Sequence, residues 1–147
     1  MPVLDSKLDI RSEVFQTNKS DMIETLAQLQ QLYDEAAEGG GEEAVARIRK
    51  RGKMPIRERI SHVLDQDSPF LEISPLAAWR SSYDIGSGFV VGIGVIEGVE
   101  CVILGHDPSV RAGAFNPFNS KKLMRGLEIA RENRMPYVQF VESAGAD

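Results

Sequence analysis

Two apolar runs, residues 89–96 and 99–104, are separated by nothing but Glu97-Gly98. This spacing constrains the chain more than any other feature: it predicts two strands paired across a tight turn. Glycine at the second turn position accepts the positive φ that such turns require. Gly92 and Gly94 loosen the first run, and inside a β segment they mark curvature or close packing. The run Gly88-Phe89-Val90-Val91-Gly92-Ile93-Gly94 also invites a dinucleotide-binding reading. That fingerprint needs Gly-x-Gly-x-x-Gly between a strand and a helix, and here both spacing and context fail.

Before the hairpin the pattern has a helical period. A helix is predicted to begin near Ser20 or Asp21, with Asp21 as cap and Met22, Leu26, Leu29 and Tyr33 along one side. Gly39-Gly40-Gly41 ends it, because glycines lack helix propensity and tolerate positive φ. A second helix should run from Glu42 towards Arg51, acidic at its start and basic at its end. Pro55 suits the first turn of a third, with Ile56, Ile60, Val63 and Leu64 on one side and Arg57, Glu58 and Arg59 largely on the other. Residues 70–73 read as a short strand. After the hairpin, Asn119 or Ser120 is expected to cap a helix whose Leu123, Met124, Leu127 and Ala130 face inward. Asn133-Arg134 ends it, and residues 137–141 form a last strand. Strand, helix and parallel strand make a crossover unit, so the expected class is α/β, bordering on α+β. The chain divides into an N-terminal arm and helical segment, 1–65, and a β-rich portion, 66–147.

Composition removes several functions. A net charge of −5 with no broad basic surface argues against nucleic-acid binding. The densest basic run, 47–53, is interleaved with apolar residues and reads as a solvated helix face. Cys101 is the only cysteine, which rules out an internal disulfide, and its neighbours Val99, Val102 and Ile103 suggest a buried thiol. No apolar stretch reaches membrane-spanning length and residues 1–20 lack a signal peptide's apolar centre, so a cytoplasmic location is expected. His62 has no second ligand at metal spacing, and no metal site is expected.

Two segments carry chemical readings. Ser143-Ala144-Gly145-Ala146 follows the last strand, where α/β folds gather ligands. Its backbone amides could hold a developing oxyanion, or it could be an ordinary strand-to-helix turn. Arg111-Ala112-Gly113-Ala114, with Lys121-Lys122 at the following helix start, suits an anionic ligand, or is a surface loop with solvated lysines. His106 and Asp107 are adjacent on a strand, point to opposite faces, and are given no catalytic role.

Read in order, the chain resembles the carboxyltransferase (β) subunits of biotin-dependent acyl-CoA carboxylases, the propionyl-, methylcrotonyl- and geranyl-CoA enzymes. The resemblance begins at Arg51-Gly52-Lys53-Met54-Pro55-Ile56-Arg57-Glu58-Arg59-Ile60 and continues through Ser68-Pro69-Phe70-Leu71-Glu72-Ile73. It goes on through Val91-Gly92-Ile93-Gly94, Gly98-Val99-Glu100-Cys101 and Val110-Arg111-Ala112-Gly113-Ala114. Lys121-Lys122, Glu128-Ile129-Ala130 and Glu142-Ser143-Ala144-Gly145-Ala146-Asp147 complete it. The resemblance implies a crotonase-like (ClpP/crotonase) fold of ββα units preceded by a helical arm that packs on the rest of the subunit or on a neighbour. It implies transfer of a carboxyl group from carboxybiotin to the α-carbon of an acyl-CoA, with biotin carried on a partner subunit or domain. It further implies a homo-oligomer of the full-length subunit working with a biotin carboxylase and biotin carrier.

By the same resemblance, the amides of Ala144 and Gly145 form the oxyanion hole, Ala144 standing where the family has glycine. Arg111, Ala112, Gly113, Ala114, Lys121, Lys122, Ser143 and Ala146 are implied to lie at or beside the CoA site. The expected parent is therefore an enzyme, of which this chain is an N-terminal portion, inactive alone. The alternatives are another crotonase-fold acyl-CoA enzyme, a hydratase or isomerase, and a non-catalytic CoA-binding or assembly module. The Arg51–Ile60 helical motif speaks against the hydratases.

Overall fold

A computed structural model describes residues 6–146; Asp147, the last residue of the family-like motif, lies outside them. The chain divides into two compact units, Met1–Leu32 and Tyr33–Asp147.

The first unit holds most of helix α1 (Glu13–Glu38). The helix starts at Glu13, well before the expected Asp21. Ser12 supplies the cap: its hydroxyl accepts the Phe15 N–H at 3.3 Å and donates to the Asp9 carbonyl at 2.8 Å. Asp21 sits mid-helix, its carbonyl accepting the Thr25 hydroxyl at 2.9 Å. The helical spacing of Met22, Ile23 and Leu26 is real, but the stripe is exposed.

In the second unit α1 ends at Gly39, which turns at φ 59°. Helix α2 (Gly41–Lys50) buries Ala44 and Ile48, and α3 (Ile56–Val63) buries Ile56 and Ile60 behind Pro55 at its cap. A four-stranded sheet follows in the order β1-β2-β3-β4: Leu71–Glu72, Phe89–Ile96, Val99–His106 and Tyr137–Phe140. The first three pair antiparallel, and β4 joins β3 in parallel after helix α4 (Pro117–Asn133). The hairpin turn is the expected one. Glu97 and Gly98 both have positive φ, and the Asp65 carboxylate accepts both of their N–H groups at 2.7 Å. Strand β3 runs past the expected Leu104, because Gly105 and His106 continue the register opposite Val90 and Phe89.

The sheet is apolar on both faces and is covered on both. One face carries Val90, Cys101, Ile103, Val138 and Phe140 under Ile56 and Ile60 of α3. The other carries Phe89, Val91, Val102 and Leu104 under Leu123 and Ala130 of α4. Glycines set both approaches. A methyl at Gly105 would lie 2.3 Å from Ile56 Cδ1, and one at Gly126 would lie 2.9 Å from Val91 Cγ1. Gly92 and Gly94 likewise clear room for the Phe70 ring and the Leu64 side chain, as close packing predicts. Cys101 is buried, as expected. This helix–sheet–helix layering is the α/β class expected.

Two helix faces differ from expectation. Met124 and Leu127 of α4 are exposed, because the buried line runs Asn119, Lys122, Gly126, Ala130. Polar residues hold the inward positions there, so an apolar count places the face one position off. On α3, Arg57 and Arg59 do not point to open solvent but reach partly buried carboxylates. Among the described residues no helix is long and apolar enough to cross a membrane.

The Gly105 contact can be tested directly. Gly105→Ala should destabilise the protein by about 1–3 kcal/mol through overpacking against Ile56. Ile56→Ala in the same chain should recover part of that loss in a denaturant-unfolding double-mutant cycle; additive losses would show that the contact is not tight.

Candidate functional site

Two loops leave the carboxyl ends of the parallel neighbours β3 and β4, and they are tied together there. The Ala144 N–H donates to the Ala112 carbonyl at 3.1 Å, and the Phe115 N–H donates to the Gly145 carbonyl at 2.8 Å. Phe115 and Ala146 form an isolated parallel bridge. Gly113 fits where no other residue could. Its φ is 70°, and a Cβ would stand 2.0 Å from the Glu142 carbonyl oxygen. Arg111 and Ala112 are left-handed too, at φ 44° and 52°. Consecutive left-handed L-residues cost free energy, so the surrounding contacts hold this loop against its local preference.

Those contacts are largely made by two asparagines, Asn116 and Asn119, of which the sequence reading named only Asn119, as a cap. Asn116 caps α4, accepting the Phe118 and Asn119 N–H groups at 3.0 Å, while Asn119 accepts the Asn116 N–H at 2.8 Å. The cap lies at Asn116, ahead of the expected Asn119 or Ser120. The available signal was Asn116-Pro117, a cap residue followed by proline at the first helical position. Both asparagine amides also donate to the Ser87 carbonyl at 3.0 Å, and Asn119 donates to the Ala114 carbonyl at 2.9 Å. Beneath them His106 is fully buried, stacked on Phe89 at 4.1 Å and edge-on to Phe115 at 5.2 Å. Burial lowers its pKa, opposed by the Gly113 carbonyl. The ring packs under the loop.

The structure sorts the expected site residues. Ser143, Ala144 and Ala112 line a cavity of about 220 Å³ with Lys53, Arg51 and Glu142. Gly145 has φ 120° and open space where a Cβ would point. Its N–H donates to the Ser143 hydroxyl at 3.1 Å. Of the two expected oxyanion amides, Ala144's is therefore committed to a backbone carbonyl and Gly145's to a side chain. Arg111 points away from the cavity: its guanidinium lies 4.6 Å over the Tyr83 ring and 3.1 Å from the Asp84 carboxylate. Lys121 lies along an open groove on α4 with Ser120 and Met124. Lys122, expected beside the anion, faces the other way. Its ammonium is enclosed, donating to the Phe89 carbonyl at 2.7 Å and standing 3.8 Å from Glu72.

Comparison with known proteins gives the family. The carboxyl transferase domain model matches residues 47–147. The chain belongs to the carboxyl transferase family. It is 43% identical over 145 residues to the "Probable biotin-dependent acyl-coenzyme A carboxylase beta2 subunit" of Mycobacterium tuberculosis, covering 99% of this chain and 27% of that protein. It is 40% identical to the mitochondrial methylcrotonoyl-CoA carboxylase beta chain of Dictyostelium discoideum, covering 99% and 25%. Among solved structures it superimposes on the beta subunit of P. aeruginosa geranyl-CoA carboxylase with a TM-score of 0.87 and 36% identity, covering 99% of this chain and 28% of that one. The chain thus spans about a quarter of the length of the curated relatives it matches. The crotonase-like fold implied by its motifs is the fold of these carboxyltransferases.

Within this carboxyl transferase segment Lys122 carries a pH dependence. Burial lowers its pKa from 10.5 to about 8, although Glu72 opposes the shift. Between those values the unfolded chain keeps a proton that the folded chain has released, so the unfolded state binds more protons and stability rises with pH. Below about 8 both states are protonated and the dependence vanishes. The melting temperature of the native protein minus that of Lys122→Met should therefore be flat below pH 8 and climb above it. Thermal melts at stepped pH measure this; a parallel pair of curves would mean that the ammonium titrates normally.

Proposed function

We propose that this chain builds part of the acyl-CoA side of a carboxyltransferase, whose reaction moves a carboxyl group from carboxybiotin to the α-carbon of an acyl-CoA. The observation that carries this reading is the tying together of the two loops at the ends of β3 and β4, which leaves the Gly145 N–H held only by an exposed serine hydroxyl. When the α-carbon becomes nucleophilic, the thioester turns enolate-like and negative charge gathers on its oxygen. A preorganised amide stabilises that charge without a titrating side chain. The Ser143 hydroxyl is a neutral acceptor, and an enolate oxygen is a stronger one, so the Gly145 N–H can pass from one to the other. In this division Gly145 donates, and Ala144 contributes the bond that holds the turn to Ala112.

The small side chains at Ala112 and Ala146 let the thioester end of CoA approach, with Ser143 beside it, while the buried Gly113 packs on the Glu142 carbonyl and holds the loop in place. Of the two expected lysines Lys121 is the exposed one, available to CoA phosphates, whereas Arg111, Ala114 and Lys122 support the loop from behind. Residues 1–65 serve as the helical preface and 66–147 as the CoA-side portion. Biotin supplies the carboxyl group from a partner biotin carboxylase and carrier, and no residue of this chain is assigned to it. The working enzyme is a homo-oligomer of the subunit, placed in the cytoplasm, with neither nucleic acid nor membrane as partner.

The test is steady-state carboxylation by the carboxylase carrying this sequence, with propionyl-, methylcrotonyl- and geranyl-CoA as substrates. Gly145→Val should lower turnover by roughly 10²–10³, the usual loss for one oxyanion donor, with circular dichroism and oligomer size unchanged. The cause is conformational: a β-branched residue cannot hold φ 120°, although the space is open. Ser143→Ala should cost less than about tenfold, because the hydroxyl occupies the amide only between turnovers, and the Gly145 carbonyl to which it also donates at 3.1 Å is held independently by the Phe115 N–H. Normal turnover in a well-folded Gly145→Val enzyme would move the oxyanion site elsewhere.

A further inference from the structure

Val141 and Glu142 lie between strand β4 and the 143–146 turn, and the structure grips Glu142 at both ends. Its carboxylate accepts from Lys53 Nζ at 2.5 Å and from the Arg59 guanidinium at 3.3 Å. Its carbonyl oxygen lies against Gly113, close enough that no side chain would fit there. The next residue, Ser143, holds the Gly145 N–H. Lys53 leads into α3 and Arg59 lies on it, so one carboxylate is held by cations from the helical segment while its own backbone belongs to the site.

We propose that Lys53 and Arg59, acting through Glu142, are positioning residues that set where the Gly145 amide stands relative to the thioester. This inference rests on the carboxyltransferase reading above. Surface ion pairs contribute little to stability, so a stabilising role alone is a weak account of two cations converging on one carboxylate. Position is a stronger account. Misplacing a reacting group by about 1 Å can cost on the order of 10² in rate. The Glu142 side chain is only 21% exposed, and together with Lys53 it forms a wall of the cavity that Ala112, Ser143 and Ala144 complete. The hydrogen bond from Lys53, with help from Arg59, holds its carboxyl below the usual range against the opposing effect of burial, so the grip is ionic at neutral pH. Arg59 is itself fixed by α3, whose Ile56 and Ile60 lie in the core and whose Arg57 holds Glu72 at 2.7 Å. The turn is thereby referenced to the core through a side chain as well as along its own strand.

The experiment uses the assembled carboxylase carrying this sequence, with an acyl-CoA that the native enzyme carboxylates. Glu142→Gln should lower kcat about tenfold, while calorimetric titration finds acyl-CoA binding at full stoichiometry with Kd changed less than about twofold. The Lys53→Met/Arg59→Met double variant should lose about the same, and adding Glu142→Gln to it should cost little more, because all three act as one unit. Lys53→Arg and Arg59→Lys should each retain activity. Three results would overturn the proposal: kcat of Glu142→Gln within twofold of native, losses that simply multiply, or a loss that tracks reduced binding stoichiometry and so reports misfolding. If the native enzyme neither binds nor carboxylates any of the acyl-CoAs, the carboxyltransferase reading falls, and the positioning role falls with it.

Discussion

A hairpin apolar on both faces cannot face water on either. Strands β2 and β3 bury Val91, Val102, Ile103 and Leu104 almost completely, with alternate residues pointing to opposite sides. Everything else in the second unit follows from covering those two faces. Helix α3 covers one and α4 the other, and each comes close because a glycine replaces a side chain at the contact, Gly105 under Ile56 and Gly126 over Val91. Covering the second face requires the chain to leave β3, run back as α4 and return as β4 in parallel. That route places the ends of β3 and β4 side by side, so the two site loops meet as a result of core burial.

Polar groups then fix what burial leaves loose. Helix α3 reaches towards both edges of the sheet through Arg57 to Glu72 on β1 and Arg59 to Glu142 beyond β4. On the opposite face, Lys122 and Asn119 are buried under α4 and donate to carbonyls of the 86–89 segment. These carbonyls precede β2 or belong to its first residue, and buried carbonyls of this kind need such partners. The satisfied network supports the left-handed run at Arg111, Ala112 and Gly113, whose conformations are costly taken singly. A strained loop persists where its neighbours determine it, and here the neighbours are two asparagines, a buried imidazole and the following turn.

Much of this was legible in the sequence, for reasons that differ by element. The hairpin was readable because Glu97-Gly98 states a turn and the flanking runs state burial. The break at Gly39 was readable because glycine is local chemistry. The inward face of α4 was not, since Lys122 and Asn119 look like surface residues until the carbonyls they serve are in place. The helix start at Ser12 was missed because Asp21 offers the same cap chemistry, and local pattern alone does not rank two valid caps. The motif around Arg57 and Arg59 likewise read only as the side of α3 opposite its apolar residues. Its carboxylate partners lie 15 and 83 positions away along the chain, and spacing of that kind has no local signature.

Two adjacent amides of the candidate site have partners of different kinds. Ala144 stands where the resembling family has glycine, and its N–H is bonded to Ala112, a contact that needs no left-handed backbone at Ala144. An alanine is therefore tolerated. Gly145 sits at φ 120°, a conformation that side-chain-bearing residues rarely adopt, with empty space where a side chain would go. Steric crowding does not explain a glycine there. The demand comes from the backbone, whose direction aims the N–H at a side-chain hydroxyl instead of a fixed carbonyl. A donor held by an exchangeable partner can change acceptors as charge develops nearby, whereas a donor in a backbone pair binding two loops cannot do so without loosening them. In the proposed division of roles, the same stereochemistry that accepts alanine at 144 confines the responsive donor to 145.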